Sequence, residues 1–137
     1  MRAQPPRKTV KDRSPISTNQ YLEMKARQSA TIREIGDALR VAGYVTLAEQ
    51  AVVLGLSRST AWTVLRAAHK NSGLTAAVIN RMLAARSLPR AVSKTIMEYV
   101  NEKTTGLYGH STTTRRRFMA KLSCDALSAR KLVGPRP

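Results

Sequence analysis

Along residues 46–68 the apolar positions shift from one helical stripe to a second across a single glycine. Leu47, Ala51 and Leu54 recur at steps of three or four, the spacing that lays one apolar face along a helix. Gly55 stands just past the last of them, where a glycine takes up the left-handed backbone that closes a helix without a Cβ clash. Leu56 is placed to plug the turn, and Ser57 offers an N-cap hydroxyl for a new helix. Beyond it Ala61, Val64, Leu65 and Ala68 predict a second buried face, which leaves Arg58, Ser59, Trp62, Thr63 and Arg66 on the opposite side.

The flanking pattern is helical throughout. Over residues 18–42 it comes in two grades. Tyr21, Leu22 and Met24 make a weak apolar start; from Thr31 the period sharpens, with Thr31 and Glu34 as a capping box and Ile32, Ile35, Leu39 and Ala42 on one face. Gly43 ends this helix, and Gly36 inside it costs about 1 kcal/mol relative to alanine unless another helix packs closely there. Lys25 and Gln28 occupy positions where a coiled-coil seam needs apolar residues, which speaks against a zipper over residues 21–39. The helix is expected to brace residues 46–68 from behind. Downstream, residues 69–73 form a polar connection, and a helix over 75–85 presents Val78, Ile79, Met82 and Leu83 to a core. Pro89 starts another as its first helical residue, burying Val92, Ile96, Tyr99 and Val100 and leaving Glu98 and Glu102 outside that face. Gly106 and Gly109 mark a turn. One of Ser111, Thr112, Thr113 and Thr114 then caps a last helix with Phe118, Met119, Leu122 and Ala126 inward. The expectation is an all-α fold, a small helical bundle over residues 18–104, with a disordered basic arm at 1–17 and a basic C-terminal helix or tail at 105–137.

One stretch carries a family likeness. Leu47, Ala51 four on, Gly55 four further, Ser57 and Thr60 after the turn, and Val64 at the close resemble the helix-turn-helix of bacterial transcription regulators, most closely the headpiece of the lactose-repressor family. Ala51 must be small because the two helices cross closely there, and Gly55 must reverse the chain tightly. The likeness covers about a sixth of the chain and departs at Gln50, where the family has an apolar residue between the helices. It implies that the helix starting at Arg58 enters a major groove, with Arg58, Ser59 and Thr63 at the family's base-reading positions. Ser57, Trp62, Arg66 and Lys70 are then placed to hold the sugar-phosphate backbone. An ordinary helical hairpin is the plain alternative.

Charge weighs against that alternative. The chain carries 24 Lys and Arg against 8 Asp and Glu, a net +16 over 137 residues, which calls for a polyanionic partner, nucleic acid first. Aromatic residues make up only 4%, so a base-stacking platform for single strands is not expected. Arg2, Arg7, Lys8, Lys11 and Arg13 face Asp12 alone in the arm. Arg115, Arg116, Arg117, Lys121, Arg130, Lys131 and Arg136 face Asp125 alone after residue 104. The middle is only mildly basic by comparison. A division of labour follows, in which the ends, with Arg115, Arg116 and Arg117 foremost, attract phosphates without regard to sequence and the helix from Arg58 reads bases.

Chemistry beyond binding finds little support. Cys124 is a single cysteine, expected as a small buried hydrophobe, so no internal disulfide or multi-cysteine zinc site is available. His69 and His110 fall in no nucleophile or metal spacing, and neither GxGxxG nor a Walker pattern occurs. No enzyme activity, cofactor, metal or small-molecule ligand is expected. Nothing approaches a membrane span, and the first residues lack the apolar core of a signal peptide, so the expected place is the cytoplasm, on the nucleoid. The expected function is that of a sequence-specific, double-stranded DNA-binding transcriptional regulator, a homodimer because one such helix covers few base pairs. The alternatives are an architectural or RNA-binding protein, for which the charged ends speak, and an accessory factor of a recombinase or transposase, which would share the motif.

Overall fold

The computed structural model describes residues 17–66 and 73–122. The arm over 1–16, the connection with Ala68, His69 and Lys70, and the final segment with Cys124 and Ala126 lie outside the described residues. Six helices account for 74% of the described residues, and no strand occurs among them, so the all-α expectation holds. They are α1 (Thr18–Val41), α2 (Leu47–Leu54), α3 (Arg58–Leu65), α4 (Ala76–Ala84), α5 (Arg90–Thr104) and α6 (Thr112–Lys121).

Helix α1 is one uninterrupted element. Its capping box is made by Ser17 and Gln20, each side chain bonded to the other's backbone amide at 3.1 Å. Thr31 and Glu34 therefore do not start a helix. Thr31 is buried in mid-helix, its hydroxyl 3.0 Å from the Arg27 carbonyl and 3.3 Å from Glu102 Oε1. The apolar face of Ile32, Ile35 and Leu39 is fully buried, while Ala42 falls past the end of the helix and is exposed. There Gly43 donates to the Arg40 carbonyl at 3.0 Å and Tyr44 to the Leu39 carbonyl at 2.9 Å, which closes the last turn.

Packing follows from these faces. Helix α1 lies along α5 and touches α3; α2 packs on α3 and α4; and α4, α5 and α6 contact one another pairwise. The crossing of α1 with α3 is close at Gly36, where Leu65 Cδ2 lies 3.6 Å from the place a Cβ would take. Helix α1 thus backs α3. Val92, Ile96, Tyr99 and Val100 of α5 are buried as their spacing predicts. Pro89 sits one residue earlier than expected, as the N-cap of α5 and not its first helical residue. In α6, Ser111 is the cap and Phe118 and Leu122 turn inward, but Met119 is 51% exposed, since a ten-residue helix on one neighbouring surface buries only a narrow stripe.

A polar seam runs through this core. Glu102, expected outside the buried face of α5, accepts from Arg27 at 2.7 and 3.2 Å and from the Tyr108 hydroxyl at 2.7 Å. The Arg27 guanidinium, above all, holds the Glu102 carboxyl below the usual carboxylate range. On the next turn the Tyr99 hydroxyl donates to Gln28 Oε1 at 3.0 Å and accepts from the Leu74 amide at 2.9 Å, while Lys103 Nζ donates to the Leu74 carbonyl at 2.8 Å. Gly73 passes directly beneath this cluster at φ 77°, and a Cβ there would overlap both Gln28 Oε1 and the Tyr99 hydroxyl. The chain entering α4 is thereby tied to α1 and α5.

Candidate nucleic-acid interface

The segment from α2 to α3 is built by local rules. Thr46 and Glu49 form a capping box, Thr46 Oγ1 accepting from the Glu49 amide at 3.2 Å and Glu49 Oε1 from the Thr46 and Val45 amides at 3.2 and 3.1 Å. Nine residues after Thr46, Gly55, at φ 72°, reverses the chain; its amide donates to the Val52 carbonyl and that of Leu56 to the Ala51 carbonyl, at 3.1 and 3.0 Å. Ser57 Oγ then accepts from the Thr60 amide at 3.2 Å and opens α3. Gln50 is buried at the crossing, and its polarity is met by the Tyr44 carbonyl, 2.8 Å from Nε2.

Burial divides α3 in two. Ala61 and Val64 are buried and Leu65 half-buried against the core, whereas Arg58, Ser59, Trp62 and Arg66 are exposed and Thr63 is half-buried. The outward face is already partly organised. The Arg66 guanidinium lies over the Trp62 ring, 5.0 Å from its centroid, and Trp62 keeps 48% of its surface exposed. The Thr63 hydroxyl donates to the Ser59 carbonyl at 3.1 Å, and that of Ser57 to Thr60 Oγ1 at 2.9 Å. Both hydroxyls keep lone pairs but have used their proton within the helix.

The basic triplet does not act as a unit. Arg115 is half-buried, and its guanidinium donates to the Thr104 and His110 carbonyls at 3.1 and 3.3 Å and to Thr112 Oγ1 at 3.2 Å, closing the C-terminal end of α5. Arg116 and Arg117 are exposed. Lys70 lies outside the described residues.

No family model, curated protein or solved structure matches the chain. The geometry and the charge therefore carry the reading.

The positive charge of the middle of the chain is concentrated in one part of it. Residues 50–97 contain Arg58, Arg66, Lys70, Arg81, Arg86, Arg90 and Lys94 and not one Asp or Glu, while residues 18–49 hold four Lys and Arg against four Asp and Glu. The mildly basic average of the middle thus joins a neutral part to a strongly positive one. Arg58, Arg81, Arg86, Arg116 and Arg117 are all exposed, and none is paired with a carboxylate among the described residues. Fields from such a run add, because no neighbouring carboxylate cancels them. No helix among the described residues is long and apolar enough to cross a membrane, and no group of three or more metal-ligating side chains occurs among them.

Proposed function

We propose that this chain is a sequence-specific, double-stranded DNA-binding protein of the helix-turn-helix kind that regulates transcription. Helix α3 enters the major groove, which is wide enough to admit one helix. The observation that supports it is the outward face of α3, where Arg58, Ser59, Trp62 and Arg66 stand exposed in a stretch of chain free of acidic residues, on a helix held from behind by Ala61 and Val64. Arg58 pairs with guanine O6 and N7, Ser59 and Thr63 make shorter polar or methyl contacts, and Arg66, carried on Trp62, reaches a phosphate along with Ser57 and Lys70. A symmetric dimer on an inverted repeat supplies the specificity that a single helix lacks.

Selection of bound duplexes from a random library at about 150 mM salt, wild type beside Arg58→Ala, tests this reading, since attraction to any duplex is already weakened there. Wild type is expected to enrich a motif, and Arg58→Ala to cost about 1–3 kcal/mol and blur one position of it. Equal weakening on every sequence would remove the base-reading role of Arg58. No enrichment by wild type, with binding retained at low salt, would reassign the protein to the architectural or RNA-binding class.

A further inference from the structure

The end of α4 and the link into α5 carry a second cationic surface that neither the motif nor the charged termini account for. Arg81, Arg86, Arg90 and Lys94 are all exposed there, and residues 73–97 contain no Asp or Glu. On α4 the opposite face, Ile79, Met82 and Leu83, is buried, and on α5 so are Val92, Ser93 and Ile96, so Arg81, Arg90 and Lys94 belong to the outward side of two anchored helices and Arg86 to the link between them.

Their position relative to α3 is set by Gly55. A Cβ placed on that glycine would lie 3.2 Å from Ala85 Cβ and 3.4 Å from the Arg81 carbonyl. The last turn of α4 is therefore packed on the turn from which α3 starts. Arg58 is three residues beyond Gly55, and Arg86 directly follows Ala85, so two cationic segments distant in sequence meet at one edge. The guanidinium groups of Arg58, Arg81 and Arg86 lack carboxylate partners among the described residues, and guanidinium is the side chain best shaped to take two phosphate oxygens at once.

We propose that Arg81 and Arg86 form a phosphate clamp on the duplex strand bordering the groove that α3 enters, with Arg90 and Lys94 extending the same track. The clamp rests on the reading of α3 as the groove-entering helix. A duplex is favoured over an acidic protein because the positive run is long, unbroken by acidic residues and continuous with the exposed face of α3, as a backbone with one charge every few ångströms requires. The clamp orients α3 without reading a base. It also makes a tight turn at Gly55 a binding requirement, because that turn holds α4 against the start of α3.

The test is binding of a duplex bearing the selected motif and of a scrambled duplex, measured by fluorescence anisotropy from about 50 to 300 mM salt, for wild type, Arg81→Ala/Arg86→Ala and Arg81→Lys/Arg86→Lys. The double alanine variant is expected to bind both duplexes about tenfold more weakly and to lower the slope of log K against log salt by about 2, leaving the preferred motif unchanged. The lysine variant is expected to recover the slope and part of the affinity. Unaltered melting temperatures check that all variants fold. Wild-type affinity and slope in the alanine variant, with wild type still selecting its motif, would overturn the clamp and leave the role of α3 standing. A wild type that selects no motif would overturn both. Polyglutamate competing as well as the duplex would assign the surface to an acidic protein and overturn the clamp.

Discussion

Lys103 is a cation with 3% of its surface exposed, in a molecule that has a large excess of positive charge to place in water. It stays because three groups meet it: the Leu74 carbonyl at 2.8 Å, the Phe118 ring with its centroid at 4.4 Å, and the Tyr99 ring at 5.8 Å. Burial still opposes its charge, and with a smaller push from Lys25 brings the amine down to about 8 from an ordinary 10.5. Between those two values the unfolded chain holds a proton that the folded chain has lost, so stability rises with pH across that window, by at most about 1.4 kcal/mol per pH unit. Burial also lowers Lys25, in the same direction, and raises Tyr99 and Tyr108, whose effect opposes the rise only as unfolded tyrosine begins to ionise near pH 10. Chemical denaturation at pH 8.0 and 9.5 is therefore expected to show a gain in wild type that Lys103→Met reduces, with the residual slope due to Lys25. Equal slopes in the two proteins would return the amine to its ordinary range.

At the scale of elements, helix existence was legible and the choice among equivalent signals was not. Three pairs of capping type stand in the first half of the chain: Ser17 with Gln20, Thr31 with Glu34, and Thr46 with Glu49. The first and third cap helices, and the middle one lies in mid-helix. Nothing local separates them. Thr31 is drawn inward by Glu102, 71 residues away, a contact that periodicity cannot see. For the same reason Glu102, expected outside the buried face of α5, joins Lys103 and Gln28 in the polar seam, each satisfied by a partner on another element. The outward face of α3 was legible, since Ala61 and Val64 alone set its orientation. The triplet after Ser111 was not, because adjacent arginines on a helix point in different directions and only Arg115 reaches the end of α5. Arg115→Ala is thus expected to cost about 1 kcal/mol of stability through lost carbonyl partners. Arg116→Ala/Arg117→Ala should leave the melting temperature unchanged and, if these two meet phosphates, lower the salt slope of duplex binding by about 2. Unchanged stability in Arg115→Ala would show that the capping contacts are dispensable.

Along the chain a strongly positive run adjoins one nearly free of charge, and the second bears on assembly. From Val41 to Ser57 the chain has no Lys or Arg, and its one charged side chain, Glu49, is held in a capping box. Within that run Val41, Val45 and Val52 are 89%, 67% and 75% exposed, around an open depression of about 430 Å³ lined by Tyr44, Ala48 and Val53 among others. Six of the eight residues of α2 are apolar, more than its core-facing stripe can use, and a helix apolar on both faces is ordinarily covered on both. Two copies of so basic a chain repel one another over about 8 Å at physiological salt wherever arginines would face each other. We infer that the copies of the proposed dimer meet here. Arg58, Trp62 and Arg66 do not line the depression, which leaves the proposed DNA-contacting face of α3 uncovered. The free dimer is expected to be weak and to strengthen on an inverted repeat that holds both copies. Val52→Glu leaves the fold intact, because that side chain is mostly in water, and places two carboxylates at the centre of the contact. Sedimentation equilibrium should then show monomer at concentrations where wild type associates, and binding to an inverted repeat should fall at least tenfold while binding to a single half-site stays the same. Association of Val52→Glu equal to that of wild type would move the interface elsewhere, and a strictly monomeric wild type that binds repeats and half-sites alike would remove the dimer.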